Sequence, residues 1–326
     1  MKAAIGGCLL AAAAAWGLGQ PAWAQPSAEQ QKCLAALGKG ALKLAKVQGK
    51  ANRSCAKALA KGKLEGSAED CLSADAKGKR AKTAAKNLDV ESSRCAGAAA
   101  PDLGSAGAAA ANDAAGLAET DLAHDLFGDP VDDGLVSCDP DRAACACQAK
   151  ALSAAEKLFA TLGKTHGVCK KKRFKAGEIV GQEDLEGCLD DPEVALSVEA
   201  DTKGKLAKTR AKLAATVEKT CDGPGVSTTS FPGACDGLAG AALAGCLADR
   251  VECRFCQLLN AAEASWSDCD DLDDAVANGS CQNLSCPAGE NACPSGCTDL
   301  DTDESNCGAC GATCGEGQTC TLGLCL

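Results

Sequence analysis

Apolar residues recur near the start of the chain every three to four positions, which is the period of an α-helix. One face carries apolar residues at intervals of three and four: Leu34, Leu37, Ala41 and Leu44. This spacing is typical of an amphipathic helix that buries one stripe. Ser27 and Gln30 have the spacing of a capping box, and glycines often follow helix ends. We therefore predict a helix that begins near Ser27 and ends toward Gly62 or Gly66.

A second helix is predicted from about Asp75 to Cys95, and its sequence returns later in the chain. The stretch from Asp75 to Cys95 and the stretch from Asp201 to Cys221 are identical at nearly half of their positions. In the second copy the helix is predicted to begin at Pro192, because proline suits the first helical turn, and to run through Cys221. An internal repeat of this kind defines a structural unit.

Cysteines keep the same order in the two copies. The interval from Cys33 to Cys55 equals the interval from Cys147 to Cys169. At about 100° per residue, such a pair lies on nearly one helix face. An antiparallel hairpin brings the outer cysteines together and the inner cysteines together. It therefore predicts these disulfides: Cys33 with Cys95, Cys55 with Cys71, Cys147 with Cys221, and Cys169 with Cys188.

Outside the repeats the pattern is less regular. Residues 98–129 predict a loose helix before a turn at residues 128–130, and residues 234–266 predict a third helical segment. Cys253 and Cys256 lie on one side of it. From Cys286 the chain carries eight cysteines among Gly, Pro, Asp and Asn, so helix is not expected there. Spacing leaves open the pairing of Cys138, Cys145 and all cysteines from Cys235 onward.

The amino terminus has the features of an export signal. Lys2 precedes an apolar run, and Ala22-Trp-Ala24 forms an A-x-A cleavage site, so residues 1–24 are predicted to be a signal peptide removed near Ala24. The poor lipobox before Cys8 makes a lipoprotein the less favoured alternative. No later run approaches the roughly 20 apolar residues of a membrane span. The chain is therefore expected to be secreted, periplasmic or displayed at the surface of a bacterial cell.

Twenty-four of the 25 cysteines follow that cleavage site, and the even number favours disulfides formed in an oxidising compartment. The alternative is a metal site, since Cys145-Ala-Cys147 and Cys253-x-x-Cys256 resemble fragments of zinc or cluster motifs. The chain has no Tyr and five Phe, and aromatic side chains provide the largest buried area per residue. We therefore expect alanine-rich helices that depend on cross-links for stability.

These patterns predict a mainly α fold: duplicated, disulfide-cross-linked helical hairpins plus a small irregular cystine-rich carboxyl-terminal module. The expected segments after the signal are hairpin 1 (25–100), an acidic Ala/Gly-rich linker (101–146), hairpin 2 (147–221), a cysteine-rich helical segment with an acidic loop (222–285), and the cystine-rich module (286–326).

The cystine-rich module carries a recognisable motif. Asn306-Cys-Gly-Ala-Cys-Gly311 and Gly317-Gln-Thr-Cys320 resemble small cysteine-rich modules at the ends of exported myxobacterial proteins and of secreted fungal proteins. The helical part resembles uncharacterised exported bacterial proteins. The resemblance implies a compact disulfide-bonded appendage at or outside the cell surface, and it brings no catalytic residues.

Charge is unevenly distributed in a chain of formal net charge −11. Residues 25–100 contain 15 basic and 7 acidic side chains, whereas residues 222–326 contain 2 and 16. Lysines at helical spacing (Lys39, Lys43, Lys46, Lys50) and the run from Lys170 to Arg173 suggest a polyanion-binding surface. Simple solvation, with attraction to the acidic segments, explains the lysines more economically. Few aromatic residues are present for base stacking, so nucleic acid is not an expected partner.

Carboxylates cluster in one candidate cation site: Asp268, Asp270, Asp271, Asp273 and Asp274. Oxygen ligands of this kind suit calcium. The segment that begins at Asp268 does not match an EF-hand loop. Leu272 stands where a ligand is expected, and Asp273 stands where the glycine is required. Solvated acidic loops are therefore the favoured interpretation, Ca²⁺ binding is the less favoured alternative, and no other cofactor is expected.

His124 and His166 are the only histidines, and neither has a catalytic partner motif; solvated helix positions are favoured for both. An exported enzyme would need a cleft in which His166 meets Asp or Glu side chains. We expect a non-enzymatic structural or interaction protein that binds an unknown protein or surface polymer. The alternative is a divalent-cation- or polyanion-binding surface protein.

Overall fold

Long helices dominate the computed structural model, which describes residues 25–101, 103–223, 226, 230–274, 280–281, 291–293, 296–308, 312–315 and 317–326. The predicted signal peptide and its cleavage site lie outside these ranges. The long helices are α1 (Ala28–Ala60), α3 (Lys79–Arg94), α4 (Gly107–Phe127), α5 (Arg142–Ala176), α7 (Lys205–Cys221) and α8 (Gly240–Glu263).

Short elements complete the fold. Short helices among the described residues include α2 (Ala68–Ser73), α6 (Gln182–Glu186) and α9 (Cys269–Asp274), and 3-10 turns span Gly97–Ala99 and Val131–Asp133. Antiparallel hairpins pair β1 (Asn291–Cys293) with β2 (Gly296–Thr298), and β3 (Cys320–Thr321) with β4 (Leu324–Cys325). The predicted fold class, mainly α with a cystine-rich carboxyl-terminal region, is confirmed.

The two repeats lie side by side. In the first, α1 packs against α3, and in the second α5 packs against α7; α1 and α5 then pack against each other. Helix α4 covers α1 and α3, α8 covers α5 and α7, and α4 packs against α8. The row of helices α3, α1, α5 and α7 is thus backed by α4 and α8.

Disulfides close each hairpin at both ends. Cys33–Cys95 and Cys147–Cys221 join the outer ends, and Cys55–Cys71 and Cys169–Cys188 join the inner ends. These are the four pairs that the hairpin arrangement predicts. The structure also supplies pairings that spacing left open: Cys138–Cys145, Cys235–Cys246, Cys253–Cys281, Cys256–Cys269, Cys307–Cys320 and Cys314–Cys325.

The capping box at Ser27 is present as predicted: the Ser27 hydroxyl accepts from the Gln30 amide and the Gln30 side chain accepts from the Ser27 amide. The repeated second helix, however, begins later than predicted. Gly78 and Gly204, with φ of 59° in both cases, precede α3 and α7, and a left-handed residue cannot continue a right-handed helix.

An aspartate explains why this start is repeated. Asp75 accepts hydrogen bonds from the amides of Lys79 and Ala81, at 2.8 and 2.9 Å. Asp201 does the same in the second copy, with the amides of Lys205 and Ala207 at the same distances. The shared Asp-x-x-Gly-Lys sequence is therefore a helix-capping device. The predicted start at Pro192 is wrong, since residues 192–204 form turns.

The acidic segment between the repeats is not a loose linker. Helix α4 buries an alanine-rich face that ends in Leu122, Leu126 and Phe127. Phe127 stacks on Phe231, with ring centroids 5.8 Å apart. The prediction of helix was correct, but the helix packs in the core because its alanines allow close approach to α1 and α8.

Candidate functional site

Two glutamates lie between the first helices of the two repeats. Glu119 on α4 is only 4% exposed and packs against Gly49 of α1, where an added Cβ would lie 2.5 Å from its Oε2 atom. Glu156 on α5 forms an ion pair with Arg53 of α1, with Nη1–Oε2 2.7 Å. The Oε1 atom of Glu156 is buried and has no hydrogen-bond partner among the residues that the structure describes.

Both glutamates have raised pKa values. Burial, helped by the negative charge of Glu156, raises the pKa of Glu119 to about 8. Burial also raises the pKa of Glu156 to about 7, although the positive charges of Arg53, Lys50 and Lys157 oppose the shift. Glycine at position 49 makes room for the Glu119 carboxyl. Because helix packing encloses the Glu119 carboxyl and raises its pKa, the free energy of unfolding is expected to depend on pH.

The second buried cluster joins α5 to the end of α8. Lys170 Nζ lies 2.8 Å from Glu263 Oε1, and His166 Nε2 lies 3.8 Å from Glu263 Oε2. The prediction that His166 is solvated is wrong, because this residue is 3% exposed and its ring lies 6.4 Å from that of Phe255. His166 does meet a glutamate, as an enzyme would require, but inside the helix packing.

The chemistry of this cluster is that of an interhelical ion pair. Burial lowers the pKa of His166 to about 4, and the Glu263 carboxylate only partly opposes this shift, so the imidazole is neutral at physiological pH. The distance from the imidazole to the carboxylate is too long for a hydrogen bond. Gln182 donates to the Glu263 carbonyl at 3.2 Å and fixes the helix end. The charged partners are therefore Lys170 and Glu263.

His124 lies in a partly exposed cluster that sequence reasoning missed. Its Nε2 atom is 3.0 Å from Glu69 Oε1, and Asp129 offers a carboxylate oxygen within 4.8 Å of both. Glu69 also accepts from the Val131 amide at 3.1 Å. Imidazole and carboxylate ligands can bind a divalent cation, which here would compete with the contact between His124 and Glu69. Glu69 is far from the other two residues in sequence, so no spacing signal could reveal the cluster.

The acidic segment predicted as a loop is largely helix α9. Asp268 Oδ1 accepts from the Asp270 amide at 3.0 Å, and Asp270 Oδ1 accepts from the Cys281 amide at 2.9 Å. Asp273 is buried and accepts from Arg250 at 3.1 Å and from Ser280.

These internal contacts already occupy the carboxylates of Asp270 and Asp273, while Asp274 is exposed. The side chain of Asp271 lies outside the described residues. Cys253 and Cys281 approach Asp273, but they are bonded to each other and therefore offer no thiolate. The structure does not bring the described aspartates of this segment together as a ligand set.

The predicted basic positions separate into two groups. Lys39, Lys43, Lys46 and Lys50 are exposed on α1. The run from Lys170 to Arg173 is not one patch, because Lys170 is buried against Glu263 and Arg173 contacts Glu178 and Asp184. Lys171 and Lys172 are exposed. The α1 lysines therefore remain the candidate interaction surface.

Comparison with known proteins adds one finding. A family model described as the stigma-specific STIG1-like protein family matches residues 243–326, about a quarter of the chain. The match begins within α8 and includes the whole cysteine-rich carboxyl-terminal region, so it extends well upstream of Cys286. No curated protein and no solved structure matches the chain. Among the described residues, no helix is long and apolar enough to cross a membrane.

Proposed function

We propose that this chain is an exported, non-enzymatic interaction protein. Its disulfides stabilise, outside the cell, the row of helices α3, α1, α5 and α7 backed by α4 and α8, which we call the helical platform. The observation that carries the proposal is the closure of each hairpin at both ends, by Cys33–Cys95 and Cys55–Cys71 in the first repeat. Cross-links of this density are typical of proteins in oxidising compartments. The family match, which covers a cysteine-rich region, is consistent with this role.

The placement of the histidines supports a binding role over a catalytic one. General acid–base catalysis needs a side chain within hydrogen-bond reach of a substrate. His166 is enclosed by α5 and α8 and is neutral, and the Nε2 atom of His124 contacts Glu69. Lys170, Glu263 and Glu119 are likewise engaged in helix packing. These polar groups thus serve the architecture.

Affinity capture from extracellular material tests this proposal, with the purified oxidised protein as bait and the reduced, alkylated protein as the matched control. We expect a ligand that the oxidised form retains and the alkylated form does not, because reduction loosens the platform. Equal retention by both forms would contradict the proposal. A hydrolytic or transfer activity that His166→Gln abolishes, in a variant that remains folded by circular dichroism, would also overturn it.

A further inference from the structure

Two rows of lysines lie on the outer surface of the platform. On α1, Lys43, Lys50 and Lys57 are seven residues apart, and on α5 so are Lys150, Lys157 and Lys164. Seven residues amount to nearly two helical turns and a rise of about 10.5 Å. Each row therefore follows one helix face. All six side chains are exposed, and we refer to these six residues as the basic face.

The contacts between α1 and α5 fix how the rows are aligned. Arg53 of α1 meets Glu156 of α5. Further along, Gly163 of α5 faces Leu42 of α1, with 2.8 Å between an added Cβ and the leucine Cδ2. The helices are thus antiparallel, since higher numbers on one meet lower numbers on the other.

This register places the lysines level in pairs: Lys57 with Lys150, Lys50 with Lys157, and Lys43 with Lys164. The positive charges of Lys50 and Lys157 both act on the carboxyl of Glu156, so the two rows border the same seam. The basic face is therefore a track of paired cations about 20 Å long.

Acidic side chains on α1 and α5, both described throughout, do not neutralise the basic face. Glu29 and Glu156 are the only acidic residues of these helices, and Glu156 is already paired with Arg53. None of the six lysines forms an ion pair with any described residue. The chain carries a net charge of −11, so an uncompensated positive track stands out from the rest of the molecule. Such a surface attracts an anionic ligand.

A groove extends the basic surface at one end. It lies between α1 and the end of α3, has a volume of about 530 Å³, and is lined by Lys32, Lys39 and Arg94 together with Glu29 and alanines. The small alanine side chains leave space in the groove, and the three basic side chains border that space. The groove is large enough to receive a sugar unit that carries a carboxylate or sulfate group.

The chemistry of the surface favours a polysaccharide over other polyanions. The aromatic rings of α5, Phe159 and Phe174, are buried and α1 has none, and base stacking on aromatic rings is what single-stranded nucleic acid requires. Among large apolar side chains of α1 and α5, both described throughout, Val168 alone is exposed, whereas a membrane-surface helix inserts a broad apolar face. Lysines are flexible point charges, which suits a flexible chain of repeating anionic groups.

We propose that the basic face binds a linear acidic polysaccharide. The spacing of about 10.5 Å between successive lysine pairs is on the scale of a disaccharide repeat. This inference rests on the proposed function, because such polymers are the polyanions that an exported protein meets at a cell surface. Binding is electrostatic and weakens with salt.

The test measures binding of the full oxidised chain to polygalacturonate and to heparin, by calorimetry and by retention on the immobilised polymers. The test variant carries K43Q, K50Q, K157Q and K164Q. The matched control carries K61Q, K63Q, K77Q and K203Q, which remove equal charge from exposed positions outside the helices. A third variant replaces the four lysines of the basic face by arginine.

We expect the test variant to bind at least one of the two polymers about tenfold more weakly, and the control within about twofold of the original chain. The arginine variant should retain binding. Equal losses in the test and control variants would overturn the inference, as would binding of duplex DNA or phosphatidylserine vesicles without binding of either polysaccharide. Failure of the original chain to bind either polysaccharide would refute this inference, whereas capture of a protein ligand by the oxidised chain would still leave the proposed function standing.

Discussion

Arg53 and Glu156 connect the two repeats through an ion pair of 2.7 Å between α1 and α5. This contact sets the antiparallel register of the central helices, and it does so beside the buried Glu119. The positive charge of Arg53 restrains the upward shift in the pKa of Glu156 but does not cancel it. The contact between α1 and α5 therefore fixes the register of the two repeats. Its contribution to the stability of the fold depends on the protonation of the two glutamates.

Stability is expected to fall as pH rises toward 8. In the folded state the pKa of Glu119 is raised from 4.5 to about 8, so the folded chain binds this proton more tightly than the unfolded chain. The stability that results from this tighter proton binding is fully present below about pH 4.5 and is lost as pH rises through about 8. Glu119→Gln should flatten this decline and stabilise the protein at pH 8 to 9, as measured by urea unfolding.

The control for this experiment is Glu218→Gln, which changes an exposed glutamate on α7. It should leave the pH dependence of the urea midpoint as it is. If the original chain shows no decline between about pH 5 and pH 8, the protonation of Glu119 in the folded state is refuted.

The buried ion pair should show strong coupling. Lys170→Met alone leaves the Glu263 carboxylate without its cation inside the packing, and removal of one partner from a buried pair costs about 3 to 5 kcal/mol. Lys170→Met combined with Glu263→Gln should cost less than Lys170→Met alone. A double-mutant cycle by urea unfolding measures this, and strictly additive effects would show that the two charges do not interact.

The repeated aspartate caps should contribute equally and independently. Asp75→Ala and Asp201→Ala each remove two backbone hydrogen bonds at a helix start, for a loss of about 1 kcal/mol each. The double variant should lose about twice as much, because the caps lie in different hairpins. Asp89→Ala, at an exposed position within α3, serves as the control and should change the unfolding free energy by less than about 0.5 kcal/mol.

Cross-links that close longer segments should stabilise more. Cys33–Cys95 spans 62 residues and Cys55–Cys71 spans 16, which corresponds to about 4 and about 3 kcal/mol in the chain-entropy model. Replacement of both cysteines of a pair by alanine tests each bond without leaving a free thiol. Unchanged thermal and urea midpoints in both variants would contradict a bracing role for these cystines.

Much of the helical core could be predicted from the sequence because its signals are local. The interval between Cys33 and Cys55 places both cysteines on one helix face. The hairpin topology then limits which cysteines can form disulfides with them. The start of α3 was misplaced because Gly78 has a left-handed backbone, which residue type alone does not reveal. Gly204 has the same backbone conformation before α7, and the predicted start of that helix was wrong as well.

The sites between helices could not be predicted in this way. The seven-residue lysine spacing on α1 and on α5 is visible in the sequence, but the pairing of Lys50 with Lys157 depends on the packing of α1 against α5. Burial of His166 depends on α8, which begins only at Gly240, far along the chain. Contacts of this kind arise from tertiary packing and carry no local pattern.

Peptide mapping of the natively purified protein under non-reducing conditions is the most direct test of the central claim, that sulfur braces the helical hairpins. The account predicts peptides that link Cys33 to Cys95 and Cys147 to Cys221, with no free thiol at these positions. A bond between Cys33 and Cys55, a majority of free thiols, or a stoichiometric metal bound to the cysteines would contradict it.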